Sequence, residues 1–311
     1  MRFEIQEDAN GLCIRQFIKE RLHLSVKMLK HLKYRPDGIC VNGERKTVRY
    51  VLRTGDLLTL ATEDRDNPHA PAAVDLPLEI LYEDDDLVVP LKPANMPTHP
   101  SHDHYGDTVA NALTYRYTQR GIPFVFRPIN RLDRNTSGLL LIARHKMAAG
   151  VLSDAMKNGE IQKSYLAILD GEMTTAQGII DACLHRTAAS IIVREVCPPD
   201  APDAAPSKTQ YRVLAVGHGH TLVEAIPLTG RTHQLRVHFA HLGHPITGDD
   251  LYGTPDPRIG RHALHARTLT FPLPSTGRPL TLTAPLTSDF AALLKLCFPE
   301  HPLNNERTAS L

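Results

Sequence analysis

Between residues 11 and 22, apolar side chains recur at Ile14, Phe17, Ile18 and Leu22, the spacing of one helical face, and Ser25 is placed to cap a second helix carrying Val26, Leu29 and Leu32. Lys27, Lys30 and Lys33 fall every third residue on that second helix, so they share a face beside the apolar one. The period then changes. Residues 39–41 alternate into an Asn42-Gly43 turn, and Gly55-Asp56 precedes a strand-like stretch at 57–60. A small module of two helices and a hairpin is predicted. Residues 63–77 carry neither period and are rich in proline and charge, which marks a linker. Beyond them, strand candidates at 78–82, 87–90, 138–143, 164–169, 209–215 and 222–226 alternate with helical stretches. This order predicts an α+β domain on a large mixed sheet. Residues 197–206 are too rich in Pro and Asp for ordered core and are predicted to form a surface loop joining two strands.

Composition narrows the class. Hydrophobic residues make up 42% and charged residues 22% of 311, with a formal net charge of +1, which fits a globular chain and neither a disordered tail nor a coiled coil. The longest apolar runs fall far short of the roughly 18 residues that cross a bilayer. The first ten residues hold three acids and no apolar core, so a secretory signal is not indicated and a cytoplasmic protein is expected. Five scattered cysteines without a C-x-x-C pair suggest neither a zinc site nor a redox dithiol. Charge is uneven. Residues 1–62 hold twelve Lys or Arg against seven acids, and residues 111–150 hold seven basic side chains around one acid, Asp133. Such fields attract polyanions and reward phosphate contacts.

Three stretches carry candidate chemistry. In RPINRLDRNTSGLLLIA, from Arg127 to Ala143, Arg131 and Arg134 flank Asp133 on a loop leading into an apolar strand. Neighbouring cations favour the charged form of a carboxylate, and an ionised carboxylate can act as a nucleophile; a structural ion pair is the plainer alternative. In IQKSYLA, alternation puts Lys163, Tyr165 and Ala167 on one strand face, where Tyr165 is either an ordinary core tyrosine or a stacking platform. In LTGRTHQLRVH, Thr229-Gly230 turns the chain into a helix ended by Gly243, so Arg231, Gln234 and His238 share a face and Arg231 is placed to pair with a carboxylate or phosphate.

Together, NRLDRNTSGLLLIA, KSYLA and TGRTHQLRVH, in this order and spacing, resemble the core motifs of the RluA family of RNA pseudouridine synthases across residues 78–300. The first sixty residues resemble an S4 RNA-binding domain. The resemblance implies a pseudouridine synthase fold, α+β with a large mixed, mainly antiparallel sheet, and a division into an S4-like domain at 1–62, a linker at 63–77, a catalytic domain at 78–300 and a tail at 301–311. It makes Asp133 the catalytic aspartate, Tyr165 the tyrosine beside the uracil, Arg231 the partner of the aspartate, and Arg131 the residue that helps displace the flipped nucleotide. Lys27, Lys30, Lys33 and Arg134 are the expected RNA contacts. No cofactor and no metal are implied, and neither a membrane nor an obligate protein partner. The implied partner is RNA, ribosomal large-subunit RNA by virtue of the S4-like domain, with tRNA as the alternative. Two positions depart from the family: Asn130 stands where His is usual, and Asn95 where Gly is common. Asn tolerates the left-handed backbone of glycine, whereas Asn130 cannot take up a proton near neutral pH.

Competing readings are a metal-dependent hydrolase using His102, His104 and Asp107, motivated by seventeen histidines, and an RNA-binding protein without activity. The retained Asp133, Tyr165 and Arg231 weigh against the second.

Overall fold

The hairpin turn predicted at Asn42-Gly43 demands two residues with positive φ, and both adopt it, at 51° and 82°. In the computed structural model, which describes residues 1–22, 26–61 and 70–305, this turn joins β2 (Ile39–Val41) to β3 (Glu44–Arg45). With β1 (Arg2–Glu4) and β4 (Leu57–Leu60) they form an antiparallel sheet in the order β1-β4-β2-β3. Helix α1 (Ile14–Gln16) runs on through a wider turn at Phe17–Arg21, and α2 (Val26–Tyr34) follows. Ile14, Phe17, Ile18 and Leu32 bury their faces against Ile39, Val41, Leu58 and Leu60, so the predicted period becomes a packed core. Lys30 and Lys33 are exposed; the side chain of Lys27, the Ser25 cap and residues 62–69 lie outside the described residues.

The second sheet has twelve strands: β5 (Glu79–Glu83), β6 (Leu87–Lys92), β7 (Arg127–Pro128), β8 (Ser137–Leu139), β9 (Ile142–Ala143), β10 (Gln162–Asp170), β11 (Gln177–Arg186), β12 (Arg194–Cys197), β13 (Ala205–Gly217), β14 (His220–Pro227), β15 (Leu264–Pro272) and β16 (Pro279–Thr283). Their order is β12-β11-β13-β14-β10-β15-β8-β6-β9-β7, with β16 on β15 and β5 on β6. Every pair is antiparallel except β8 with β15. Helices α3 (Val109–Gln119), α4 (Lys146–Lys157), α5 (Gln234–His241) and α6 (Ser288–Cys297) complete the α+β architecture. Leu139 and Leu141 join one apolar cluster, Leu140 and Ile142 another, as the period of an extended chain requires when both faces of a sheet are covered. None of the described helices is long and apolar enough to cross a membrane.

One expectation needs correction. The strand predicted at 138–143 is two strands, broken at Leu140 and Leu141, because the Leu141 N–H donates to Asn130 Oδ1 at 2.7 Å rather than to a strand partner. Helix α4 also packs against the core of the first sheet. Met147 is buried, and Val151 half-buried, in the apolar cluster of the first sheet, although both belong to α4. Residues 198–204 do form the connection predicted between two strands, β12 and β13.

Candidate active site

Gly138 decides where the Asp133 loop sits. Its φ is +114°, and a Cβ there would stand 2.2 Å from the Ala266 carbonyl oxygen, so only glycine lets β8 approach β15 this closely. Since β15 lies between β8 and β10, the loop leading into β8 is brought within reach of Tyr165 on β10. That loop is braced on both sides of Asp133. Thr98 Oγ1 donates to the Leu132 carbonyl at 2.9 Å. On the other side, the buried Lys92 Nζ donates to the carbonyls of Pro93, Met96 and Arg134 at 2.7, 2.8 and 2.8 Å. Burial, and then the nearby Arg261 charge, push Lys92 down to about 7. The three carbonyls nevertheless engage three hydrogens, which only the ammonium form supplies, so that form is the one this geometry requires.

Asp133 faces a cleft of about 750 Å3 together with Arg131, Tyr165, Arg231, His233 and Arg236. Its Oδ2 lies 3.9 Å from Arg236 Nη1 and 4.0 Å from His233 Nε2. Arg236 is held from behind: Nε and Nη2 form a fork on Asp249 at 2.7 and 2.6 Å, Nη2 also reaches Asp250 at 3.2 Å, and the guanidinium lies 5.1 Å over the Tyr252 ring. The Tyr252 hydroxyl accepts the Arg194 N–H at 2.9 Å and is 2.8 Å from His233 Nδ1. Which of that pair donates depends on the imidazole tautomer; when the hydroxyl donates to Nδ1, the ring hydrogen sits on Nε2, the nitrogen nearer Asp133. Burial lowers the His233 pKa, opposed by the Asp133 charge.

Tyr165 lies opposite Ala225 on one neighbouring strand and Ala266 on the other, so small side chains leave space on its face of the sheet. It is 7% exposed, and its hydroxyl makes no hydrogen bond among the described residues. Burial, reinforced by the Asp133 charge, pushes that hydroxyl far above the ordinary tyrosine range.

The pairing expected of Arg231 is corrected by this geometry. The helix begins at Gln234, after His233 in the left-handed region at φ 58°, so Arg231 precedes it and is exposed, its Nε donating to the Pro206 carbonyl at 3.1 Å. Gln234 Oε1 accepts from Thr229 Oγ1 and the Arg231 N–H, which ties down the turn. Arg236, inside the helix, takes the place near Asp133. Sequence reasoning passed over Arg236, His233 and Lys92; Arg236 lay within the motif and was hidden only by the three-residue shift of the helix start. Arg131 is exposed at the rim. Arg134 donates through Nε and Nη2 to Asn95 Oδ1, and Asn95 has the anticipated left-handed backbone, φ 59°.

The proposed hydrolase ligands do not converge. His104 pairs with Asp107 at 2.6 Å, while His102 is 90% exposed beside Asp103. Among the described residues the grouping close enough to share an ion is Asp249, Asp250 and His262, and there the Arg236 fork already occupies Asp249.

Residues 86–241 match the family model of RNA pseudouridylate synthases. An uncharacterized RNA pseudouridine synthase of Bacillus subtilis, YjbO, is 38% identical over 88% of this chain and 95% of its own length. Ribosomal large subunit pseudouridine synthase D of Nitrosomonas europaea is 32% identical over 83% of this chain and 76% of its own. The mitochondrial tRNA pseudouridine(32) synthase of Saccharomyces cerevisiae is 33% identical over 70% of this chain and 45% of its own. The solved structure of human RNA pseudouridylate synthase domain containing 1 superposes with a TM-score of 0.56 at 31% identity, covering 67% of this chain and 83% of that one. With the motifs, the sheet and these relatives in agreement, the chain belongs to the RluA-type family of RNA pseudouridine synthases, isomerases that act on RNA.

Proposed function

We propose that this protein converts specific uridines of large-subunit ribosomal RNA to pseudouridine, with Asp133 as the catalytic carboxylate. The observation that carries this reading is one carboxylate oxygen facing an open cleft between a pinned guanidinium and an imidazole nitrogen, with Tyr165 on the sheet beside it. The isomerisation breaks the N1–C1′ bond, turns the uracil and joins C5 to C1′; C5 loses a proton and N1 gains one, so the composition of the RNA is unchanged. A base must leave its stack to enter such a cleft, at an unstacking cost of roughly a few kcal/mol. Exposed Arg131 at the rim is suited to fill the space left behind, and Arg134 to meet backbone phosphate. Asp133 attacks C1′ or takes a proton at C2′, and Arg236 Nη1, 3.9 Å away, is placed to orient the carboxylate in either route. Burial and the Asp133 charge keep the Tyr165 hydroxyl protonated near neutral pH, and its ring has space between Ala225 and Ala266, so the part this reading gives it is to support the uracil.

Ribosomal RNA is preferred to tRNA because the first sheet with its helices reads as an S4-like RNA-binding unit carrying exposed Lys30 and Lys33. A cytoplasmic site of action goes with that substrate. Asp133→Asn should abolish tritium release from RNA labelled at uridine C5 while retaining RNA affinity; turnover within tenfold of wild type rejects the assignment. Pseudouridine maps of total RNA from a deletion strain and its parent identify the substrate, and a site lost from tRNA alone would reject the ribosomal reading.

A further inference from the structure

Next to the cleft, β11, β12 and the turn before α5 enclose a second hollow of about 400 Å3. Three arginines line it, Arg186, Arg194 and Arg231, against one acid, Asp203. The strand register places Arg186 directly opposite Arg194 on antiparallel strands, where like charges repel unless an anion lies between them. Nearby Glu195 pairs with His185 at 3.1 Å.

The arginines are unequally committed. Arg194 Nη1 donates to the carbonyls of Ile191, Ile192 and Val193 at 3.2, 3.0 and 3.1 Å, which holds the side chain in place while Nε and Nη2 make no hydrogen bond among the described residues. Arg231 gives only Nε, to Pro206. Arg186 is exposed and has no partner among the described residues. Unused planar donors held around one hollow match the tetrahedral oxygens of a phosphate. Arg231 and Thr232 line both hollows, so the two are contiguous. The Arg194 backbone N–H is hydrogen-bonded to Tyr252, which in turn bonds His233 beside Asp133.

We propose that this hollow is a phosphodiester subsite, holding a backbone phosphate of the RNA strand whose flipped uridine occupies the cleft. The inference rests on the reading of the cleft as an RNA active site, and it assigns the β11–β12 hairpin to gripping the strand beside the target. Binding there would fix the phosphate at a set distance from Asp133 and offset part of the cost of flipping.

Affinity measured without reference to turnover separates this idea from the catalytic one. The probe is a fluorescein-labelled RNA stem-loop with uridines in its loop, titrated with the full-length protein at several salt concentrations. Arg186→Gln removes a partnerless exposed side chain, so its thermal unfolding should match wild type. Its log affinity against log salt should be shallower by about 0.7 to 0.9, the slope of one released counterion, and Arg186→Lys should restore most of it. A single neutral methylphosphonate placed in turn at each linkage of the loop should weaken wild type at one position, and at that position should cost Arg186→Gln less, because only Arg194 and Arg231 then remain to lose the phosphate charge. Equal salt slopes for Arg186→Gln and wild type, or a methylphosphonate penalty that is the same in both at every linkage, overturn the subsite. Neither result touches the role of Asp133, which the tritium assay tests independently.

Discussion

A guanidinium clamped along one edge by a buried carboxylate presents its remaining nitrogen to a second carboxylate with little further loss of freedom. This is the position of Arg236, whose fork on Asp249 leaves Nη1 directed toward Asp133. Lysine keeps the charge and loses the fork. Arg236→Lys should lower turnover at saturating RNA by about ten- to a hundredfold, equivalent to one charge-assisted hydrogen bond, with KM little changed. Arg231→Gln should instead raise KM, because that side chain faces the rim. If the kcat loss fell on Arg231 and spared Arg236, the pairing derived from the geometry would be wrong. At this scale the residue types of the site were legible in the sequence, but their roles depended on where a helix starts. The left-handed turn at His233, a non-glycine residue, carries no signal in hydrophobic spacing and shifted that start. His238 shows a second effect hidden from sequence. It is fully buried between Ser207 and Thr209, and burial, helped by the His241 charge, pushes it down to about 4. An unfolded imidazole takes its proton near pH 6.5, so the unfolded chain binds more protons than the folded one between these values. Stability is therefore complete above pH 6.5 and falls as pH drops toward 4. Urea denaturation should show about 2 to 3 kcal/mol lost from this residue between pH 7 and pH 4.5, and His238→Gln should remove that part of the slope.

The strand signal was alternation in β13 and a short apolar run in β6, β10 and β14. It failed for β11, which exposes Ile179 on its outer face, and for β15, which buries His265 and Arg267 among its apolar residues. Polar side chains buried for hydrogen bonding break the period that the eye follows. The same β15 makes the parallel contact with β8 that carries the Asp133 loop, so the least legible strand is the one that positions the site. Gly138→Ala should force the two strands apart, since the new Cβ meets backbone that cannot give way. Left-handed strain and overpacking together predict a loss of about 2 to 4 kcal/mol in chemical denaturation, with kcat falling because the loop moves with the strand. Gly121→Ala is the control. It shares a positive φ, 65°, but would meet nothing within 4 Å, so it should cost about 1 kcal/mol and leave kcat unchanged. Equal losses for the two variants would show that the close approach does not constrain the sheet.

Across the whole molecule, the two sheets divide affinity and chemistry in the proposed scheme. The first sixty residues carry an excess of basic side chains, whereas Asp133, Tyr165, His233 and Arg236 all lie in the second unit. The change of period and the polar stretch after residue 62 are what point to two units; the contact of α4 with the first core left no such signal, because Met147 and Val151 look like ordinary positions on an amphipathic helix. That contact changes what truncation costs. A chain beginning at Asp75 exposes Met147, now buried, at about 1.5 to 3 kcal/mol, so its melting temperature should fall while unfolding stays cooperative. Replacing Met147 with Gln in the truncated chain should then cost little more, since the side chain already meets water. Each phosphate neutralised by the first unit releases counterions, so the intact protein should lose log affinity for a large-subunit RNA transcript more steeply with log salt than the truncated chain does. At high concentration the truncated chain should still release tritium from short unstructured RNA labelled at uridine C5, because flipping there meets little stacking. On the structured transcript it should lose site selectivity. Equal salt slopes, together with unchanged selectivity, would show that the first unit braces α4 and does not dock RNA.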